Sequence, residues 1–305
     1  MQKVPVGDTI AFAYRFAFGE FLTLLRLSWI PLTIMMVAIH FLSHSLPLGT
    51  IGAADPKQFS LGYGQIASFI AMFALQLVCI ATAIVAYTEH ALHPSPDRKF
   101  FYLPSAKVVG KVLAALLLFG LAFGAVIISA VGIIYIAQLA GKTSSGMERP
   151  GGGFISTLVA ISVMGAAYYA FIRATFILTP LVVAEGKIDL RRAWDLGRGN
   201  FWRYAAIALG IALPFLIASL AASLLFAKLI ALPQSALDSA QSAAERQQMI
   251  MAWNATIGAQ LRMLWPLMTI INIGIYTVMY GISAGASVFA YRALVPANAA
   301  PESDA

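Results

Sequence analysis

Residues 109 to 139 read VGKVLAALLLFGLAFGAVIISAVGIIYIAQL, and beyond Lys111 the run carries no charge. At about 1.5 Å per residue such a helix is roughly 45 Å long, more than the ~30 Å hydrocarbon core of a bilayer. A helix that is apolar on every side must be buried on every side, in protein or in lipid. The chain repeats the pattern, with long apolar runs at about 27–46, 66–87, 154–183, 204–232 and 264–294. Each reaches the roughly 18–20 residues that a crossing requires.

Composition points the same way. Hydrophobic residues make up 60% of the 305 residues and charged residues 11%, with a mean hydropathy of +0.82. Soluble domains carry about 25% charged residues. The fold is therefore read as all-α, a polytopic membrane protein with six transmembrane helices forming one domain over 1–295. The Pro/Ala-rich tail 296–305 is expected to be disordered and cytoplasmic.

Lysine and arginine set the orientation. Of the 20, thirteen fall at the N-terminus, between spans two and three, between spans four and five, or after span six. Six fall in the alternate segments, and Arg173 lies within span four. By the positive-inside rule the richer set is cytoplasmic and both termini are inside, as expected for a bacterial cytoplasmic membrane. The start of the chain lacks a short apolar core with a small-residue cleavage site, so span one is expected to remain as an anchor. Basic residues scattered over short loops exclude a nucleic-acid-binding face. A lone Cys79 within an apolar run excludes an intrachain disulfide.

The cytoplasmic segments carry helical patterns of their own. Ile188, Leu190, Ala193, Trp194 and Gly197 share one face and Asp189, Arg191, Arg192, Asp195 and Arg198 the other, an interfacial amphipathic helix. Asn200 is placed to cap the next helix, with Phe201 and Trp202 at headgroup level. The N-terminus repeats the plan: Asp8 or Thr9 caps a helix bearing Ile10, Phe12, Ala13, Phe16 and Ala17, and Gly19-Glu20-Phe21 precedes span one as Gly199-Asn200-Phe201 precedes span five. Ala86-Tyr87 and Ala290-Tyr291 echo each other at the ends of spans two and six. Three helical hairpins, related as a degenerate repeat, are a candidate arrangement. Between spans five and six, the polar stretch 233–256 has helical spacing and is a candidate surface helix.

Residues 173 to 203 read RATFILTPLVVAEGKIDLRRAWDLGRGNFWR. An Arg and a Phe late in a span, then Pro, Val-Val-x-Glu-Gly, Ala-Trp, an Arg-Gly-Asn turn and Trp-Arg resemble a broad group of bacterial membrane proteins. The group includes the membrane domain attached to some glycerophosphodiester phosphodiesterases and many stand-alone six-helix homologues. The resemblance is sharp over about 30 residues and architectural elsewhere. It implies a six-helix fold and a link to lipid metabolism. It does not carry the phosphodiesterase activity, because no soluble α/β barrel with acidic and His ligands is present.

Candidate chemistry competes with plain packing. Gly281-Ile282-Ser283-Ala284-Gly285 matches Gly-x-Ser-x-Gly, but a nucleophile elbow needs a strand-to-helix turn with His and acid partners. The same residues spell Gly-x-x-x-Gly, as do Gly120 and Gly124, and are assigned to close helix packing. His40 with His44 and His90 with His93 have ligand spacing, yet fall on opposite membrane faces and are read as interfacial histidines. No catalytic, cofactor or metal site is assigned. Pro180 and Pro214 are candidate helix breaks of the kind transporters use. Arg173 is the most unusual residue, an ionisable group inside a span, with Glu20, Glu89 and Glu185 as candidate partners.

The expected function is a non-enzymatic module binding lipid or protein partners. Arg173, Glu185, Arg191, Arg192, Trp194, Arg198, Asn200, Trp202 and Arg203 form the candidate surface toward anionic headgroups, and protein partners or a homo-oligomer are alternatives on it. A transporter or permease subunit is the runner-up reading. An intramembrane enzyme using Ser283 or the histidines is the third.

Overall fold

The computed structural model describes residues 2–45, 63–94, 102–141, 152–230 and 242–295, and every regular element among them is a helix. The tail 296–305 and segments 46–62, 95–101, 142–151 and 231–241 lie outside these residues. In chain order the helices are α1 (Val6–Gly19), α2 (Phe21–Ser45), α3 (Tyr63–Leu92), α4 (Ala106–Gly141), α5 (Gly152–Glu185), α6 (Leu190–Leu196), α7 (Phe201–Ile230), α8 (Ala243–Met263) and α9 (Trp265–Leu294). Several begin before their apolar runs, because apolarity marks where lipid starts and helical hydrogen bonding continues through the polar interface.

Five of these helices are long and apolar enough to cross a membrane, over Phe21–Phe41, Ala67–Leu92, Ala106–Ser129, Phe201–Leu224 and Trp265–Leu294. In the 34-residue α5 the apolar stretch among described side chains runs only from Thr175 to Glu185. Large apolar side chains point outward along the five. Examples are Phe69, Ile70 and Phe73 on α3, Leu117, Leu118 and Leu121 on α4, and Leu209, Leu216 and Leu220 on α7. Contiguous apolar surface on this scale would associate in water and is stable against lipid tails.

Small residues decide the packing. On α1, Thr9, Ala13 and Ala17 are buried one turn apart and lie against the small residues of α9. A Cβ added at Gly285 would stand 3.3 Å from the Ala13 Cα, and one at Gly281 would stand 3.4 Å from the Ala17 Cβ. Helix backbones approach this closely only where side chains are missing. Beyond the break at Glu20, α2 continues along the same partner: Leu24 packs on Gly281, and the His40 ring lies 4.1 Å from that of Trp265. Together α1 and α2 run antiparallel to the whole of α9.

Three expectations need correction. The N-terminal helix is packed lengthwise on α9 instead of resting its apolar face in the interface. It is not capped by Asp8 or Thr9: Pro5 occupies the N-cap position, and the Thr9 hydroxyl donates back to the Pro5 carbonyl at 2.6 Å. A proline's fixed φ suits helix entry, so no side-chain cap is required. Of the pairs in the three-hairpin arrangement, α2 packs on α3 and α4 on α5, but α7 barely touches α9. The small-residue face of α9 is already occupied by α1 and α2, so α7 leans on α1 and α5 instead.

The proline break in α7 is repaired internally. Pro214 has no N–H for the carbonyl of Gly210, and the Tyr14 hydroxyl of α1 donates to that oxygen at 3.3 Å. After α7, α8 begins within the predicted polar stretch 233–256 and runs on to Met263, with the Ser242 hydroxyl accepting from the Glu245 N–H at 3.2 Å.

Candidate functional site

The stretch 173–203 folds into one connected end of the bundle. Helix α5 stops at Gly186, whose φ of +65° is the left-handed conformation glycine adopts without strain, and its N–H returns to the Val182 carbonyl at 2.9 Å. The Lys111 ammonium of α4 donates to the Gly186 carbonyl, placing a cation at the negative end of α5. Asp189 then starts α6 by accepting from the Arg192 N–H at 2.8 Å. Gly199, at φ +77°, turns the chain into α7.

Arg173 is buried, with 8% of its surface exposed. None of the three candidate glutamates pairs with it. Its guanidinium lies 3.9 Å from the centre of the Trp194 ring and donates to the Trp194 carbonyl and the Tyr169 hydroxyl, both at 3.1 Å. An arginine stacked on an indole recovers part of the charge stabilisation lost on burial. Its Nε and the Tyr204 hydroxyl are both buried without a hydrogen-bond partner. Ala193 and Trp194 thus bring α6 against α5, while Ile188 and part of the Trp194 ring stay exposed. A Cβ at Gly197 would stand 2.8 Å from the Arg173 carbonyl oxygen.

Glu185 is engaged elsewhere. One carboxylate oxygen accepts from Arg192 at 2.8 Å and from the Tyr291 hydroxyl at 3.1 Å, tying α5 to α6 and α9. Glu89 accepts from the Tyr102 hydroxyl, and Glu20 lies 3.7 Å from His90. Arg292 of α9 donates to the Ala91 and Leu92 carbonyls at 3.0 and 2.6 Å, closing the C-terminus of α3.

Asn200 holds the N-terminal segment. Its side-chain oxygen accepts from the Val4 N–H at 3.1 Å and its amide donates to the Gln2 carbonyl at 3.2 Å, the pairing a neighbouring strand backbone would offer. Arg203 donates to the Val4 carbonyl at 2.6 Å. Residues 2 to 5 are thus tied to the start of α7.

Of the candidate residues, Arg173, Glu185, Arg192, Asn200 and Arg203 carry internal contacts, and Trp194 covers Arg173. The Arg191 and Arg198 side chains are exposed and make no hydrogen bond or ion pair among the described residues, and Trp202, at the start of α7, is 81% exposed. A shallow hollow of about 370 Å³ opens between Asp189, Arg191, Arg192 and Asp195. Gly281 and Gly285 lie in the α1–α9 contact, whereas a Cβ at Gly120 or Gly124 would meet nothing within 4 Å among the described residues. Ser283 is exposed on its helix. Among the described residues no three of His, Cys, Asp and Glu gather as metal ligands.

Sequence reasoning missed Lys111, Arg292 and the segment 2–5. A signal for the last was present, since the residue before Pro5 is biased to an extended backbone. Compared with family models, curated proteins and solved structures, the chain matches none.

Proposed function

We propose that the chain is a non-enzymatic module of a bacterial cytoplasmic membrane. It crosses six times with both termini inside, α5 being the fourth span, and holds anionic phospholipid headgroups on its cytoplasmic rim. The supporting observation is the division of labour among the basic residues. Arg173, Arg192, Arg203, Arg292 and Lys111 are engaged inside the fold. Arg191, Arg198 and Trp202 stand exposed on α6 and the turn into α7, residue types that suit a charged membrane surface. The motif that resembles the membrane domain of glycerophosphodiester phosphodiesterases supports the same reading: its residues act as the brace that presents this rim.

Each free arginine near an anionic surface is worth about 1 kcal/mol. The test is reconstitution into nanodiscs of phosphatidylcholine with phosphatidylglycerol. Phosphatidylglycerol is expected to be enriched around the parent chain and depleted to the bulk ratio around an Arg191→Glu, Arg198→Glu variant. Equal enrichment around both would refute the proposal.

A further inference from the structure

A second feature lies away from the rim, on the lipid side of the contact between α2 and α9. Here the two helices leave a groove of about 560 Å³ between them. That is within the roughly 300–1,000 Å³ of small-ligand sites, and far too narrow for another helix about 10 Å across. Its walls are apolar, with Leu22 and Leu25 on α2 and Ile270 and Gly274 on α9. One charged residue lines it, Arg26, with Trp29 a turn below.

Arg26 lies five residues inside the apolar stretch Phe21–Phe41. Its side chain is exposed and makes no hydrogen bond or ion pair among the described residues. That separates it from Arg173, Arg192 and Arg203, whose charges are met by protein atoms. A cation at the edge of a lipid-facing helix is costly unless something anionic meets it. Its depth is fixed by the register of α2 on α9. Leu24 sits at Gly281 and His40 at Trp265, so Arg26 falls close to Met279, where the outward apolar side chains of α9 (Leu267, Ile270, Ile271, Ile275, Met279) end. The guanidinium therefore lies level with the end of α9's outward apolar side chains, with Leu22 one turn beyond it on α2. From Arg26 to Thr33 the groove runs along about 10 Å of helix, within the ~15 Å depth of one leaflet.

We infer that this groove seats one anionic phospholipid, its phosphate on Arg26 and one acyl chain between α2 and α9. The charge selects the headgroup and the apolar walls take the chain. The site does not involve Arg191 or Arg198, and stands or falls separately from the rim.

The test is a lipid titration of the detergent-purified full chain, read by native mass spectrometry, with dioleoyl phosphatidylglycerol and dioleoyl phosphatidylcholine as the probes. The parent chain is expected to retain one tightly held phosphatidylglycerol and to hold phosphatidylcholine at least tenfold more weakly. Arg26→Gln removes that preference, about a tenfold loss for phosphatidylglycerol alone. Gly274→Leu fills the groove and abolishes the tight site for both lipids. A Cβ at Gly274 meets nothing within 4 Å, so the larger side chain enters open space. Gly120→Leu, equally open, leaves retention unchanged. The Arg191→Glu, Arg198→Glu variant keeps the tight site even if it loses the rim. Should Gly274→Leu fail to fold, Arg26→Gln alone decides. Equal retention of the two lipids by the parent, or retention of phosphatidylglycerol undiminished in Arg26→Gln, overturns the inference.

Discussion

Replacing Gly197 by alanine adds one carbon where the fold has no room for it. The backbone at Gly197 is ordinary, with φ −72° and ψ −8°, so alanine meets no conformational penalty there and the effect reports the close approach alone. The new Cβ would stand 2.8 Å from the Arg173 carbonyl oxygen and 3.0 Å from the Arg173 Cγ. Neither neighbour is a flexible chain end: one is helix backbone, the other the root of a side chain clamped under Trp194. Relief comes only if α6 moves off α5, which draws the indole from its 3.9 Å position over the guanidinium. Overpacking costs about 1–3 kcal/mol and a desolvated cation–π contact about 2 kcal/mol. Because one movement produces both, they do not add in full, and the expected loss is about 2–4 kcal/mol. Cys79 supplies the assay. It is the only cysteine, is buried, and will react with a fluorogenic thiol dye only as the bundle opens on heating. Gly197→Ala is expected to lower that midpoint by several degrees. Gly120→Ala, which meets nothing, should leave it unchanged or raise it, since alanine is favoured over glycine in a helix by about 0.5–1 kcal/mol. Equal midpoints for the two variants would refute the account of the α5–α6 contact.

Three further outcomes are expected. Asn200→Ala removes both bonds to residues 2 and 4, costs about 1–3 kcal/mol, and exposes the Val4 amide to hydrogen exchange; Asn200→Asp fails to restore protection, because an oxygen then faces the Gln2 carbonyl. Tyr204→Phe deletes a buried hydroxyl that has no partner, so the Cys79 midpoint should hold or rise by the equivalent of about 1 kcal/mol. Tyr14→Phe costs about 1 kcal/mol in the parent and close to nothing in a Pro214→Ala background, where the Gly210 carbonyl regains an N–H of its own helix; a double-mutant cycle measures the difference.

Helices, and the surfaces they turn to lipid, were legible because apolar runs of this length have few other uses. The Arg-Gly-Asn turn was legible too, since Gly199 adopts the backbone that glycine tolerates best. Partners were not. Arg173 looked for a carboxylate and found an indole, a phenol and a carbonyl, none of which carries the charge that a sequence search follows. Val4 and Asn200 meet across 196 residues, and Arg292 and Leu92 across 200, separations at which no local pattern carries information. The N-terminal helix looked amphipathic in the same way as a surface helix. Only the matching small residues of α9, Gly281 and Gly285, distinguish a face that packs on protein from one that rests on lipid.

Membrane topology tests the account most directly. In a chain whose Cys79 is replaced by alanine, single cysteines at Ser105, Lys187 and Ser242 occupy exposed positions at the start of α4, after α5 and before α8. A membrane-impermeant thiol reagent applied to intact cells should label Ser242→Cys, and should reach Ser105→Cys and Lys187→Cys only after permeabilisation. Labelling that places positions 105 and 187 on opposite sides would show that α4 and α5 do not both cross, and would contradict six spans with a cytoplasmic arginine rim.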